Sequence, residues 1–439
     1  MEYTMNEIIQ FVEENDVKFI KLAFCDMFGF QKNIAIMPDE LIRAFESGIS
    51  FDASAVKGFM NVEESDLFLF PDPTTLAILP WRPQQGRVVR LFCDIKYPDG
   101  TPFKGDGRSI LKGAIDKARQ MGYVCKIGSE CEFYLFELDE KGWPTKTPHD
   151  QAGYCDIAPL DKGENVRREI CLTLEEMGIK PESSHHEQGP GQNEIDFKYS
   201  DALLAADNLI TFKSVVKSVA ARNGLHASFM PKPIEGKSGN GLHINLSLSK
   251  NGVNIFKNSK EEHSKEAESF IQGILEHAKE MTAFLNPLTN SYARFGEFEA
   301  PKYVTWSHQN RSQLIRIPAA KGKYTRLELR SADAACNPYI AFALVIYAGL
   351  EGIEKNKVLS NPSDFNLYQI TAEQSMHLEM LPSTLGEALN LAAESDFIRS
   401  VLPLSSLERY ISIKSEEYKS VMEAEDVVKF EEELYFGRI

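Results

Sequence analysis

The stretch GSECEFYLF (128–136) carries two carboxylates two positions apart in a run that is otherwise mostly apolar and aromatic. Such a run, bounded by Gly128, predicts a buried strand. Side chains at i and i+2 of a strand share a face, which sets Glu130 beside Glu132 at about 7 Å. Two acids on one partly buried face repel each other and lose hydration, so the arrangement calls for a counter-charge. Four other segments bear on where that charge comes from. SHHEQGPGQNEIDF places Glu187 and Glu194 either side of a Gly-Pro-Gly turn, predicting both acids at one end of a hairpin. LHINLSLS (242–249) alternates strictly: Leu242, Ile244, Leu246 and Leu248 face one way, His243, Asn245, Ser247 and Ser249 the other. YTRLELRS (324–331) puts Tyr324, Arg326, Glu328 and Arg330 on one face by the same rule. NRSQLIRIP adds Arg311 and Arg316, whose parity differs, so at least one belongs to a loop or bulge.

Taken singly, each alternating strand has an ordinary reading as the solvated face of a half-wet sheet, and a lone His on such a face is ordinarily a surface residue. Together, five Glu and one His make a candidate site for two hard divalent cations. Mg²⁺ and Mn²⁺ favour oxygen donors, and Mn²⁺ also accepts an imidazole. The absence of Cys from these faces argues against structural zinc. Arginines interleaved with the acids suit an anionic substrate, phosphate or carboxylate. Metals and guanidinium groups around a transferring phosphate point to nucleotide-dependent chemistry. The Gly-Lys-Ser at 236–238 is not a P-loop, because Pro231 stands where its first glycine belongs and a strand follows rather than a helix.

These segments need a scaffold, and 439 residues, 43% hydrophobic, suffice for a sizeable core in two or three domains. The first hundred residues read as a small α+β unit: a helix NEIIQFVEE, strands VKFIKLAF and KNIAIM, a helix DELIRAFESG, then strands LFLF, TLAIL and RVVRLFCDI. YPDGTPFKGDGRS (97–109) is the linker, dividing the chain at 1–100 and 101–439. SILKGAIDKARQMG follows as an amphipathic helix with a Ser N-cap. Beyond it strands alternate with the helices ENVRREICLTLEEMG, DALLAADNLITFKSVVKSVAARNG and EEHSKEAESFIQGILEHAKEMTAFL, and the last quarter is mostly helical. A net charge of −16 argues against broad nucleic-acid or anionic-membrane binding. Seven scattered cysteines read as reduced thiols of a cytoplasmic protein. The apolar run 339–350 fits a buried helix, not a membrane span.

The ordered set FDAS…GF, EESDLFLFPDP, GSECEF, HHEQGPGQNEIDF, FMPKP, SGNGLHINLSL, NPLTNSYARF, EAP, NRSQLIRIP and RLELRSADAACNPY resembles class I glutamine synthetases, in their shorter, Gram-positive-type form. The resemblance implies an N-terminal β-grasp domain and a catalytic domain with an antiparallel sheet and flanking helices. It also implies a homododecamer of two hexameric rings with active sites between subunits, and a ligase joining glutamate to ammonium with ATP. Carried over by position, one Mg²⁺ or Mn²⁺ would be held by Glu132, Glu187 and Glu194, the other by Glu130, His243 and Glu328. ATP would contact Glu182, Asn245, Ser247, Arg316, Lys323 and Arg326. Glutamate would be gripped by Arg294, Arg311, Arg330, Ser238 and the backbone at Gly239. Tyr154 belongs to the ammonium pocket, Asp52 of a neighbouring subunit matches the acid that helps deprotonate ammonium, and Glu299 matches the flap glutamate. A larger amine as acceptor is the alternative activity, and a non-catalytic nitrogen sensor the alternative class. The chain departs from the usual pattern at Ala53 and Ala55, at Ser238 and Asn240, at Asn61, and in a flap about one residue shorter.

Overall fold

Thr4 and Glu7 form a capping box that starts helix α1 (Met5–Glu14), each side chain bonding the other's backbone N–H. Strands β1 (Val17–Cys25) and β2 (Gln31–Ile36) follow as an antiparallel hairpin. Its turn is tied by Asp26 Oδ1, which accepts from the backbone N–H of Phe28 and Phe30. Helix α2 (Leu41–Glu46) leads to β3 (Ile49–Asp52), β4 (Asp66–Pro71), β5 (Ala77–Ile78) and β6 (Arg87–Lys96). These strands make a six-stranded mixed sheet of order β2-β1-β6-β4-β3, with β5 on β6 and the β1–β6 pair parallel. The computed structural model describes residues 4–81, 85–256, 263–320 and 322–439.

Helix α3 (Gly107–Gln120) begins earlier than the sequence reading placed it. Its N-cap is Asp106, whose carboxylate accepts from the N–H of Arg108 and Ser109 and from the Ser109 hydroxyl. A carboxylate at the positive end of a helix outcompetes the serine expected there. Then come β7 (Tyr123–Leu138), β8 (Pro144–Pro148), α4 (Glu164–Glu176), β9 (Pro181–His186), β10 (Gln192–Phe197), β11 (Ser200–Asp201) and α5 (Ala202–Arg222). They are followed by β12 (Leu225–Ser228), β13 (Leu242–Lys250), β14 (Val253–Asn254), α6 (Lys265–Leu285), β15 (Trp306–His308), β16 (Ile315–Ile317), β17 (Leu327–Leu329) and α7 (Pro338–Glu354). The first residues expected in α6, Glu261 and Glu262, lie outside the described ones; the helix is capped by Ser264.

The second sheet has eleven strands along β15-β16-β17-β13-β7-β10-β9, with β8, β11 and β12 also pairing β7 and β14 pairing β13. One face is apolar. Cys131, Ile195, Leu242, Ile244, Leu246, Leu248 and Leu327 are fully buried there, and Phe133 meets Phe212 of α5 at 6.1 Å between ring centres. Helix α7 contains the 339–350 run and is buried nearly all round. It packs on α6 through glycines: a Cβ on Gly352 would meet Ser269 O at 2.0 Å, and one on Gly273 would meet Ala348 O at 2.2 Å. Only hydrogen at these points lets the two backbones approach so closely.

A buried arginine on α3 ties the first sheet to helix α5. Arg108 reaches Asp94 on β6 at 2.6 Å, Asp72 just after β4 at 2.7 Å and Asp207 on α5 at 3.1 Å. All seven cysteines are free thiols. Among the described residues no helix is long and apolar enough to cross a membrane.

Candidate active site

The polar face of the second sheet is a set of cross-strand pairs. Directly opposed residues share a face, and the register reads Glu194 opposite both His185 and Glu132, then Glu130 opposite both Asp196 and His243. Further along, Glu328 lies opposite Asn245 and Arg316. The adjacent strands β10, β7, β13 and β17 therefore bring onto one surface acids that the sequence separates by nearly two hundred residues. Glu187 joins them from the turn between β9 and β10, where its N–H bonds Gln192 O at 2.8 Å.

On this face two groups of three potential ligand atoms each lie within 4.8 Å of one another: Glu130, His243 and Glu328, and His185, Glu187 and Glu194. The first matches the expected trio. The second contains His185, which the sequence reading did not select, in place of Glu132. Glu132 lines the same cavity, but its Oε2 accepts from the Gly241 N–H at 2.6 Å and from Gln192 Nε2 at 3.3 Å. The signal for His185 was its position two before Glu187, but only the β9–β10 register shows that it faces Glu194.

Electrostatics explain why these acids need cations. Burial raises the Glu194 carboxyl well above its ordinary range, and the carboxylates of Glu132, Asp196 and Glu130 push it further. Glu132 is raised by burial and by Glu187. Glu130 goes the other way: burial opposes ionisation, but the His243 ring at 3.0 Å and the Asn245 amide bring it down to about 2. Asp196 Oδ1 is buried without a hydrogen-bond partner among the described residues. Glu328, 1% exposed, is held between the Arg316 and Arg330 guanidiniums, with His243 Nδ1 at 3.6 Å. An oxygen-rich set with one imidazole per group, and a buried acid driven toward protonation, fits hard divalent cations.

Apart from Glu328 and Asn245, these groups line a cavity of about 640 Å³ together with Tyr154, Ser238, Gly239, Arg294, Glu299, Arg311, Arg316, Arg326 and Arg330. Arg294 is 3% exposed and donates through Nη1 to the Ser331 and Ala332 carbonyls. Gly239 lies against it: a Cβ there would meet Pro231 O at 2.4 Å and Arg294 Cγ at 2.6 Å. Of the two arginines whose parity differs, Arg311 sits in the turn before β16 and Arg316 on the strand; Glu299 Oε2 lies 3.9 Å from Arg311 and 3.7 Å from Arg330. Phe298 and Glu299 have φ of 45° and 65°, a left-handed backbone that non-glycine residues adopt at a cost. The neighbouring Glu297 pairs with Lys232 at 3.2 Å, while Lys232 Nζ stands 4.6 Å from the Phe298 ring centre.

An adjoining cavity of about 320 Å³ shares Glu130, Ser183, Asp196 and Arg326, and is lined also by Glu182, Asn245, Ser247 and Tyr324. Tyr324 reaches it from a one-turn helix (Gly322–Tyr324), not from the strand; β17 covers only Leu327–Leu329, shorter than the alternation suggests. The Lys323 side chain lies outside the described ones. Asp52 lines neither cavity. It ends β3 opposite Asp66 on β4, and its carboxylate accepts from the Ser54 N–H and hydroxyl.

The fold and the site together describe an enzyme that handles anionic substrates over a carboxylate-rich sheet. The chain belongs to the glutamine synthetase family: its beta-grasp domain matches residues 16–98 and its catalytic domain residues 104–433. The chain is 49% identical to a glutamine synthetase of Clostridium saccharobutylicum over 422 residues, covering 95% of each. It is 47% identical to one of Methanosarcina mazei, over 95% of this chain and 96% of that one. Among solved structures it resembles a GmaS/ADP complex, with TM-score 0.88, 31% identity and 99% of both chains covered. It also resembles Plasmodium falciparum glutamine synthetase, with TM-score 0.85, 26% identity and 98% of both chains covered.

Proposed function

We propose that this chain is an ATP-dependent ligase that forms glutamine from glutamate and ammonia through a γ-glutamyl phosphate. The observation that carries the reading is the register that sets Glu130, Glu132, Glu194, His243 and Glu328 on one face, beside Arg294, Arg311, Arg316 and Arg330. Mg²⁺ or Mn²⁺ bound by Glu130, His243 and Glu328 and by Glu132, Glu187 and Glu194, with His185 beside the latter, would neutralise the phosphates during transfer.

The chain's own groups supply the rest. A carboxylate is a poor electrophile, so its γ-oxygen must first take the terminal phosphate of ATP. Arg294, Arg330 and the backbone at Gly239 hold glutamate, while Arg311 and Arg316 face the charge that builds on the transferring phosphate. Glu182, Asn245, Ser247, Lys323 and Arg326 form the nucleotide end, a reading supported by the relative solved as an ADP complex. Tyr154 and Glu187 offer a negative mouth to ammonium, and Glu299 closes the flap against water that would hydrolyse the acyl phosphate.

Asp52, the acid that takes a proton from ammonium, comes from a neighbouring subunit of a homo-oligomer, a dodecamer by family resemblance, in the cytoplasm. Its exposure next to Asp66, and its place outside its own chain's cavity, support that reading. The test offers purified protein, glutamate, ATP and Mg²⁺ or Mn²⁺ with ammonium, methylamine, ethylamine or a polyamine, following phosphate and amide. Ammonium should give the highest kcat/KM. A clear preference for an alkylamine would overturn the choice of acceptor, and no turnover with any amine would overturn the ligase.

A further inference from the structure

A third cavity, about 360 Å³, lies between the two sheets on the side away from the acidic face. That is the size of a small-molecule site. Its walls come from the β1–β2 hairpin, from β6, and from α5 with the segments around Phe229, Ala334 and Arg438. Five of its side chains are cations, namely Lys21, Arg90, Lys213, Lys217 and Arg438, and none is a carboxylate. In a chain of net charge −16 such a concentration runs against the whole.

Three of these cations, Arg90, Lys213 and Lys217, are held by neutral groups. Arg90, 7% exposed, donates to the Thr211 hydroxyl at 2.9 Å and stacks 3.9 Å from the Phe92 ring centre; its Nε is buried without a partner among the described residues. Lys213 donates to the Cys336 carbonyl at 3.3 Å, and Lys217 to the Arg438 carbonyl at 2.9 Å. Among the described residues no Asp or Glu side chain comes within ion-pair distance of Arg90, Lys213, Lys217 or Arg438. A buried charge without a counter-ion is costly, and an anion entering the cavity would relieve several such costs at once. The strain shows in the titration: burial brings Arg90 down to about 10, and burial with the neighbouring Lys213 brings Lys217 down to about 8. The other walls are apolar and aromatic, with Phe28, Trp81, Met177 and Phe229 among them.

We propose that this interdomain cavity binds a small amphipathic anion, a phosphate or carboxylate head on a flat apolar body. The head sits at Arg90, Lys213 and Lys217, where guanidinium and ammonium groups donate to its oxygens. The body lies against Trp81 and the phenylalanines. This site is separate from the ligase reading and does not depend on it.

The probe is phenyl phosphate, titrated calorimetrically into the assembled full chain with ADP, Mg²⁺ and glutamate present at saturation. Those ligands keep the probe from the acidic cavity. One binding event per chain is expected, weakened at least about tenfold, roughly 1.4 kcal/mol, in Lys217→Gln and in Arg90→Gln. Lys217 is half-buried on a helix surface, so its variant should fold even where Arg90→Gln does not. Glu130→Gln, altered only in the acidic cavity, should bind the probe as wild type does. Absence of binding to wild type under these conditions, or equal binding by both cavity variants and wild type, would each overturn the proposal.

Discussion

Glu130 and His243 face each other across β7 and β13, with His243 Nδ1 3.0 Å from Glu130 Oε2. The pair joins the middle of the large sheet to one group of potential ligands, because Glu328 enters from the next strand at 3.6 Å from the same nitrogen. Replacing Glu130 by Gln keeps the shape and removes the charge. Turnover should fall by about 100-fold or more, since losing even an outer-shell partner of a metal costs 10- to 100-fold. Steady-state kinetics across a Mg²⁺ series would check this, and activity restored by excess Mg²⁺ would identify the defect as one of metal affinity.

Glu194 tests the electrostatics from the other side. Its carboxyl is already driven toward protonation by burial and the acids around it. Glu194→Gln imitates that protonated form, so the metal-free melting temperature should hold or rise while turnover is lost. A large fall in metal-free melting temperature, followed by scanning calorimetry with chelator, would count against the reading. Glu132→Ala is the less informative variant, because it also leaves the Gly241 N–H without its acceptor.

Arg108 should be worth more to stability than any exposed ion pair. Its guanidinium serves Asp72, Asp94 and Asp207 from a 3% exposed position. Arg108→Ala leaves the buried Asp207 and the part-buried Asp72 without their cation, while Asp94 keeps Lys112, and breaking a buried pair costs about 3–5 kcal/mol. Urea unfolding would measure it.

The His277 ring lies between Glu280 at 3.1 Å and Glu351 at 3.2 Å. Burial opposes its charge, but the two carboxylates win and raise its pKa. A raised folded-state pKa adds stability that is complete below the ordinary histidine value of about 6.5 and disappears as pH rises through the folded value. The stability gap between wild type and His277→Gln should therefore be wider at pH 5.5 than at pH 9, as melting curves across that range would record.

Lys232 should govern the flap. It holds Glu297 at 3.2 Å and stands against the Phe298 ring, beside the strained Glu299. Lys232→Met should loosen closure, raising the KM for glutamate and the release of phosphate without amide, both several-fold. A fall in kcat at unchanged KM, with phosphate and amide still matched, would place Lys232 outside the flap's control.

Much of this site was legible because strand alternation is a local property. Leu242, Ile244, Leu246 and Leu248 fill one face of β13, so His243, Asn245 and Ser247 had to take the other, and the same parity paired Glu130 with Glu132. The Gly-Pro-Gly turn made the hairpin that presents Glu187. What stayed hidden depends on register between strands or on contacts between domains. His185 earns its place by lying opposite Glu194, which no local pattern reveals. Arg108 lay unremarked inside the segment read as a linker, although its partners come from β6, the turn after β4 and α5. The alternation of YTRLELRS begins before the start of β17, so it could not show that Tyr324 lies outside the strand.

The most direct measurement counts Mn²⁺ bound per chain by equilibrium dialysis, in wild type, Glu130→Gln and Glu187→Gln, with ADP present. The account predicts two or more ions in wild type and the loss of a different one in each variant. Wild-type protein that retains no Mn²⁺, or variants that bind as wild type does, would contradict it.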